Sequence, residues 1–241
     1  MLVVIGLYVR VTIAETPVFK RAMESGTRAR VPVLDVVRAY PAVLALTSGG
    51  MLLPYVLLYV ITTFSLAYAT TELGVPRTTM LYCTMIAIAL MGVGVPVFAT
   101  LSDRIGRRLC LVGAAVAGLW SFPLFWLLET RSPVLISVSF SVGMIAFAML
   151  YGPMGAFLPE LYGTRLRYSG ASVSYNLGGV LGGALAPIIA TQLLASTGDS
   201  WSISVYVAAM AAVSFVCVFL LSEIRSEERR PIAEAGESAA G

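Results

Sequence analysis

The stretch Thr78–Leu128 reads TTMLYCTMIAIALMGVGVPVFATLS, then DRIGRR, then LCLVGAAVAGLWSFPLFWLL. Two runs of 25 and 20 residues without Asp, Glu, Lys or Arg flank a charged turn of six. An α-helix rises 1.5 Å per residue, so about 20 apolar residues cross the ~30 Å hydrocarbon core of a bilayer. Neither run alternates polar and apolar residues as a barrel strand does. Backbone groups in lipid must be bonded within their own segment. Both runs therefore read as membrane-spanning helices joined by a tight polar turn.

The same pattern repeats outward in both directions. Ala39–Thr71, Ser132–Pro159, Tyr168–Gly198 and Ser200–Ser222 are also free of charge, which makes six spans in all. The linkers are 72–77, 103–108, 129–131, 160–167 and Asp199, too short for anything but an up-down arrangement. The fold class is an all-α polytopic membrane protein with a bundle of six transmembrane helices. The 241 residues are 58% hydrophobic and only 12% charged, with a mean hydropathy of +0.87. A soluble domain carries about 25% charge, so soluble folds, a disordered chain and a nucleic-acid partner are excluded; the partner is the lipid bilayer.

Three regions follow: residues 1–40, the bundle over 41–222, and a tail over 223–241 rich in charge, Ala, Gly and Ser, expected to be disordered and cytoplasmic. Leu2–Val9 is apolar but spans only about 12 Å as a helix. It reads as the end of a truncated membrane helix, with an interfacial anchor as the alternative.

An even number of spans puts both ends of the bundle on one side. That side receives 14 of the 16 basic residues, and the other holds only Arg77 and Arg131. The positive-inside rule makes the basic side cytoplasmic, so a multi-pass protein of the plasma (inner) membrane is expected with both bundle ends inside. Cys83, Cys110 and Cys217 fall within spans, so no disulfide framework is expected. With no His and no Cys-x-x-Cys, neither a metal site nor a cofactor is expected. A membrane enzyme would need clustered acid, base or nucleophile groups, and only scattered interfacial carboxylates are present.

In the turn between the second and third spans, Asp103 can cap a helix or pair with an arginine, and Gly106 permits a tight reversal. Arg104, Arg107 and Arg108 hold the loop at the inner surface. In the fifth span Gly178 and Gly182, and Gly179 and Gly183, are spaced four apart, a small-xxx-small pattern that lets a neighbouring helix approach closely. Gly183 and Pro187 can allow a bend. A nucleotide-binding Gly loop would need a strand before it and a solvated helix after it, and an uncharged span has neither.

The segment LSDRIGRR over 101–108 resembles the signature loop of the major facilitator superfamily, with Ala99 in place of its usual opening Gly. The segments ETPVF (15–19), TTFSLAYAT (62–70), YGP (151–153), ELYGTRLRYSGAS (160–172) and LGGVLGGALAPIIAT (177–191) resemble its metabolite:proton symporter branch. The resemblance runs from about residue 2 to 221. It implies a twelve-helix secondary transporter in two halves, with this chain as the C-terminal half and the N-terminal half missing. It also implies transport of small polar or anionic metabolites, coupled to protons, by alternating access around a cavity between the halves.

Polar side chains within the spans are then the candidates for substrate contact. Tyr55, Tyr59, Thr62 and Thr63 share a face of the first span by i, i+3/i+4 spacing. Tyr151 and Met154 lie in the fourth, and Ser174, Tyr175 and Asn176 in the fifth; Met154 and Asn176 stand where the branch commonly has Gln. Glu160, Arg165 and Arg167 are candidates for a cytoplasmic gate. No charged residue lies deep in a span, so the proton-carrying residue is expected in the missing half. The chain is expected not to transport alone. A non-transporting membrane interaction protein, or a half-carrier assembling with another chain, is the alternative.

Overall fold

The computed structural model describes residues 32–106, 108–163 and 166–238, with backbone alone from 225 onward. Leu2–Val9, Arg107 and Arg165 lie outside the described residues. A short helix α1 (Pro32–Ala39) leads into six long ones: α2 (Pro41–Thr71), α3 (Arg77–Ile105), α4 (Arg108–Glu129), α5 (Pro133–Glu160), α6 (Arg167–Thr197) and α7 (Trp201–Ser238). No strand occurs among the described residues. Each of the six is long and apolar enough to cross a membrane.

The helix ends follow from sequence chemistry. Pro41 and Pro133 sit at the first turn of α2 and α5, where a missing N–H costs nothing. Gly106 ends α3 at φ +81°, a conformation that strains any residue with a Cβ, and its N–H bonds Ser102 O at 2.8 Å. Gly198 closes α6 in the same left-handed region, bonding Leu194 O. The backbone of α7 continues helical to Ser238, past the Ser222 boundary read from sequence. Charge ended the apolar run there, but Glu, Arg and Ala are good helix formers and need not end the helix.

Helix α2 is the hub. About 67% of its most apolar window is buried, against 17% for α3. It packs on α7, α6 and α5, while α5 in turn packs on α3 and α4, and α4 on α7. The core between them is apolar and aromatic: Met51, Ile61, Phe125, Phe140 and Phe157 are fully buried, and Phe64 meets Phe125 edge-on. Most hydroxyls inside the bundle are bonded, as lipid favours, while Ser48, Ser65 and Ser102 keep buried hydroxyl oxygens without a hydrogen-bond partner. Thr62, Thr84 and Thr191 bond back to the carbonyl four residues earlier. Others join helices. Ser139 of α5 donates to Leu124 O of α4, whose Trp120 indole N–H donates to Ser139 O, and Ser204 of α7 donates to Ser121 O.

Two spans carry a widened, π-helical turn. In α2 it covers Val60–Phe64, where the Ser65 N–H reaches back five residues to Val60 O. In α6 it covers Gly179–Ala184, just before Pro187, whose ring cannot donate to Gly183 O. Such turns expose backbone carbonyls and are common where a helix must yield.

Candidate functional site

Tyr55 stands near the middle of α2, and Tyr59 follows one turn later, 39% exposed. The two rings border α6 at its glycine face. A Cβ at Gly183 would lie 2.7 Å from the Tyr59 ring, and one at Gly179 would lie 3.5 Å from that of Tyr55. Glycine at 183 is what allows the Tyr59 ring to lie against the α6 backbone, whereas a Cβ at 179 would make ordinary contact with Tyr55. The other pair faces the α2 backbone itself: a Cβ at Gly178 would lie 2.5 Å from Met51 Cβ, and one at Gly182 would lie 2.5 Å from Leu52 O. The α2–α6 contact therefore uses all four glycines at two adjacent stripes. Pro187 lies beyond it, half-buried, its carbonyl accepting from the Thr191 hydroxyl.

Tyr151 of α5 and Tyr175 of α6 complete the group. Their rings meet edge-on with centroids 5.9 Å apart, and Phe147 stacks on Tyr151 at 4.9 Å. Tyr55 of α2 lies against Gly179, one turn after Tyr175 on α6, so phenols from three helices share one region. All three are partly exposed. Such a group presents hydroxyls that donate or accept, on aromatic walls, and offers no charge of its own.

The other expected cavity residues are placed differently. Ser174 is fully buried; helical rotation of 100° per residue turns it away from its neighbour Tyr175. Its Oγ lies 2.8 Å from both Thr47 Oγ1 and Tyr162 Oη, which are 2.9 Å from each other, and it donates to Gly170 O. Met154 is fully buried near Gly50. Asn176 is exposed and donates to Ser172 O. Thr62 bonds Leu58 O, and both Thr62 and Thr63 lie in the widened turn of α2, with Thr63 exposed.

At the turn after α3, Asp103, Arg104 and Arg108 are exposed around Gly106 with its positive φ. A groove of about 300 Å³ runs between the ends of α3 and α5 there, lined by Ala99, Asp103, Gly152 and Gly155 among others. It opens beside the tightest α3–α5 crossing, where a Cβ at Gly152 would lie 2.6 Å from Val95 O. Glu160 is exposed at the end of α5, and Arg167 opens α6 with a buried Nε that has no hydrogen-bond partner.

Sequence reading missed Thr47, Tyr162 and Ser214. Ser214 of α7 accepts the Leu53 N–H at 3.0 Å and donates to Gly49 O at 2.8 Å, clamping α2 just before Pro54. The available signal was an isolated hydroxyl in an apolar run, because such a group must find a partner in lipid. The cysteines are all free. Among the described residues, no three His, Cys, Asp or Glu side chains come together to hold a metal ion.

Comparison with known proteins agrees with this architecture. Residues 53–234 match the family model described as sugar (and other) transporter. The chain is 35% identical over 233 residues to the inner membrane metabolite transport protein YhjE of Escherichia coli, covering 94% of this chain and 53% of that one. It is 33% identical to a putative metabolite transport protein of Haemophilus influenzae (94% and 54%) and 29% identical to the shikimate transporter of E. coli (92% and 52%). The chain thus spans about half the length of the curated relatives it matches. No solved structure matches it. The family is one of transporters rather than enzymes, and a bundle of six apolar helices makes the chain a multi-pass membrane protein. By its motifs, its helices and its relatives, the chain belongs to the sugar (and other) transporter family of the major facilitator superfamily.

Proposed function

We propose that the chain is the C-terminal half of a secondary transporter and forms one wall of its substrate path, with Tyr55, Tyr151 and Tyr175 contacting a small polar or anionic metabolite. The observation that carries this reading is the meeting of three partly exposed phenols from α2, α5 and α6 within the spans. Phenol hydroxyls donate to carboxylate or hydroxyl oxygens, and such bonds are stronger when the acceptor is charged. The metabolite and shikimate transporters among the relatives support a small polar organic substrate. The widened turns of α2 and α6 flank the phenols and support a wall that flexes as access alternates.

In the same proposal the transport is proton-coupled, and the proton carrier sits in the N-terminal half. Inside the described spans, Asp and Glu occur only near helix ends, whereas proton relays in membranes use buried titratable groups. The arginine-rich ends face the cytoplasm. Glu160, Arg165 and Arg167 form the cytoplasmic gate. The least buried spans, α3 and α6, offer faces for the other half.

The test is uptake into vesicles. The chain co-reconstituted with the N-terminal half of the E. coli YhjE protein is expected to accumulate a labelled small carboxylate when the outside is acidified, and the chain alone is expected not to. Absence of uptake by every such pair, across a panel of carboxylates and polyols, would overturn the reading. Uptake by the chain alone would replace the missing half by a second copy.

A further inference from the structure

At the opposite end of the bundle from the Asp103 loop, a cavity of about 440 Å³ opens between the end of α4 and the start of α7. Its walls are aromatic and its rim is acidic. Phe122 and Trp201 pack with ring centroids 4.8 Å apart, and Phe125 and Trp126 add further aromatic walls. Trp126 and Trp201 remain 68% and 60% exposed. Glu129 and Asp199 complete the lining.

Both carboxylates are held in place by the fold. Glu129 accepts hydrogen bonds from the Ser200 hydroxyl at 2.5 Å and the Tyr68 hydroxyl at 3.3 Å. Asp199 accepts the Trp201 backbone N–H at 3.0 Å. The Tyr68 hydroxyl feels the charge of Glu129, of Glu72 and of Asp199, so three carboxylates bear on this end of the bundle. Only Arg77 and Arg131 oppose them among the linker residues of this side. A carboxylate pair beside open indole faces suits one chemistry above others. A cation of low hydration gains from the negative face of Trp, by about 0.5 to 2 kcal/mol per favourable contact, and from the carboxylates at once. A small metal ion holds its hydration shell too tightly to exploit the rings, and an anion would be repelled.

We propose that this cavity binds an ammonium group, as carried by an alkylammonium solute or by the ethanolamine headgroup of a lipid. The site involves α4 and α7 and does not depend on the transport reading. Its position at the helix ends, where spans meet the headgroup layer, makes both sources accessible.

The test uses the full chain in nanodiscs of phosphatidylglycerol alone, titrated with tetramethylammonium chloride and followed by tryptophan fluorescence. Sodium chloride at equal ionic strength is the control, and 3,3-dimethyl-1-butanol, a neutral molecule of similar bulk, tests the need for charge. A saturable change is expected with tetramethylammonium, at least tenfold weaker with the alcohol. D199N, which keeps an acceptor for the Trp201 N–H, is expected to weaken binding fivefold or more, and Trp126→Leu likewise; far-ultraviolet circular dichroism verifies that both variants remain helical. Repeating the titration with phosphatidylethanolamine in the disc separates the sources. Competition assigns the site to the lipid headgroup, and unchanged affinity assigns it to a solute. Equal responses to the cation and the alcohol, or wild-type affinity in both variants, would overturn the proposal and leave the tryptophans as interfacial anchors.

Discussion

Thr47 Oγ1 and Ser174 Oγ lie 2.8 Å apart, both fully buried, and tie the first span to the fifth 127 residues later in the chain. Tyr162, in the linker before α6, joins both hydroxyls, and Tyr40 meets its ring edge-on at 5.7 Å. Gly170 lies flat against that ring, where a Cβ would come within 2.5 Å. One buried hydroxyl group of three thus fastens α2, α6 and the loop between α5 and α6.

Ser174→Ala removes one corner of a triangle in which each hydroxyl meets both others. Breaking a buried hydrogen-bonded set costs about 1 to 3 kcal/mol, so a clear fall in thermal midpoint is expected in detergent. Thr47→Val leaves the Tyr162–Ser174 pair, as Ser174→Ala leaves the Thr47–Tyr162 pair, and is expected to cost a similar amount. The measurement is a thermal scan of both variants; equal and negligible shifts would show that the group contributes nothing.

The α2–α6 contact depends on glycine. A side chain at Gly182 meets the Leu52 backbone, which has no rotamer to change. Overpacking of this kind costs about 1 to 3 kcal/mol, so Gly182→Ala is expected to lower the midpoint and raise protease sensitivity between α2 and α6. Gly155→Ala, with open space around it, is the matched control and is expected to be neutral.

Ser214→Ala deprives the Leu53 N–H of its partner from α7. A net loss of about 1 kcal/mol is expected, and hydrogen exchange is expected to rise locally around Leu53 rather than across the bundle. Exchange unchanged at that amide would show that the helix recovers its own bond.

Within the transport reading, Tyr175→Phe and Tyr55→Phe keep the rings and remove the hydroxyls. Uptake by the assembled carrier is expected to fall at least tenfold, with unchanged thermal midpoint, because only substrate contact is lost. Wild-type uptake in both would remove the phenols from the substrate path.

Orientation is tested by cysteine labelling. Thr130→Cys, beside α4's end, is expected to react with a membrane-impermeant maleimide in intact cells. Ile105→Cys, exposed beside the Asp103 turn, is expected to react only after the membrane is opened. The reverse pattern would invert the topology argued from the arginines.

Six spans were legible in the sequence because bilayer thickness and the cost of buried charge act locally. A run such as Thr78–Ser102 declares itself without knowledge of its neighbours, and so do turns at Gly106 and Gly198. The LSDRIGRR loop and the glycine spacing of the fifth span carried the family. Which faces meet was decided only in three dimensions. A membrane helix is apolar all round, so its pattern does not say whether Ser174 or Tyr175 points at a neighbour. Helical rotation and the glycine contact with α2 put Ser174 into the buried hydroxyl group and Tyr175 beside Tyr151 and Tyr55. The widened turn at Val60–Phe64 and the clamp at Ser214 likewise depend on helices that arrive from elsewhere in the chain. Local hydropathy determined what crosses the membrane; packing between distant spans decided which polar groups are spent on holding the bundle and which stay partly exposed.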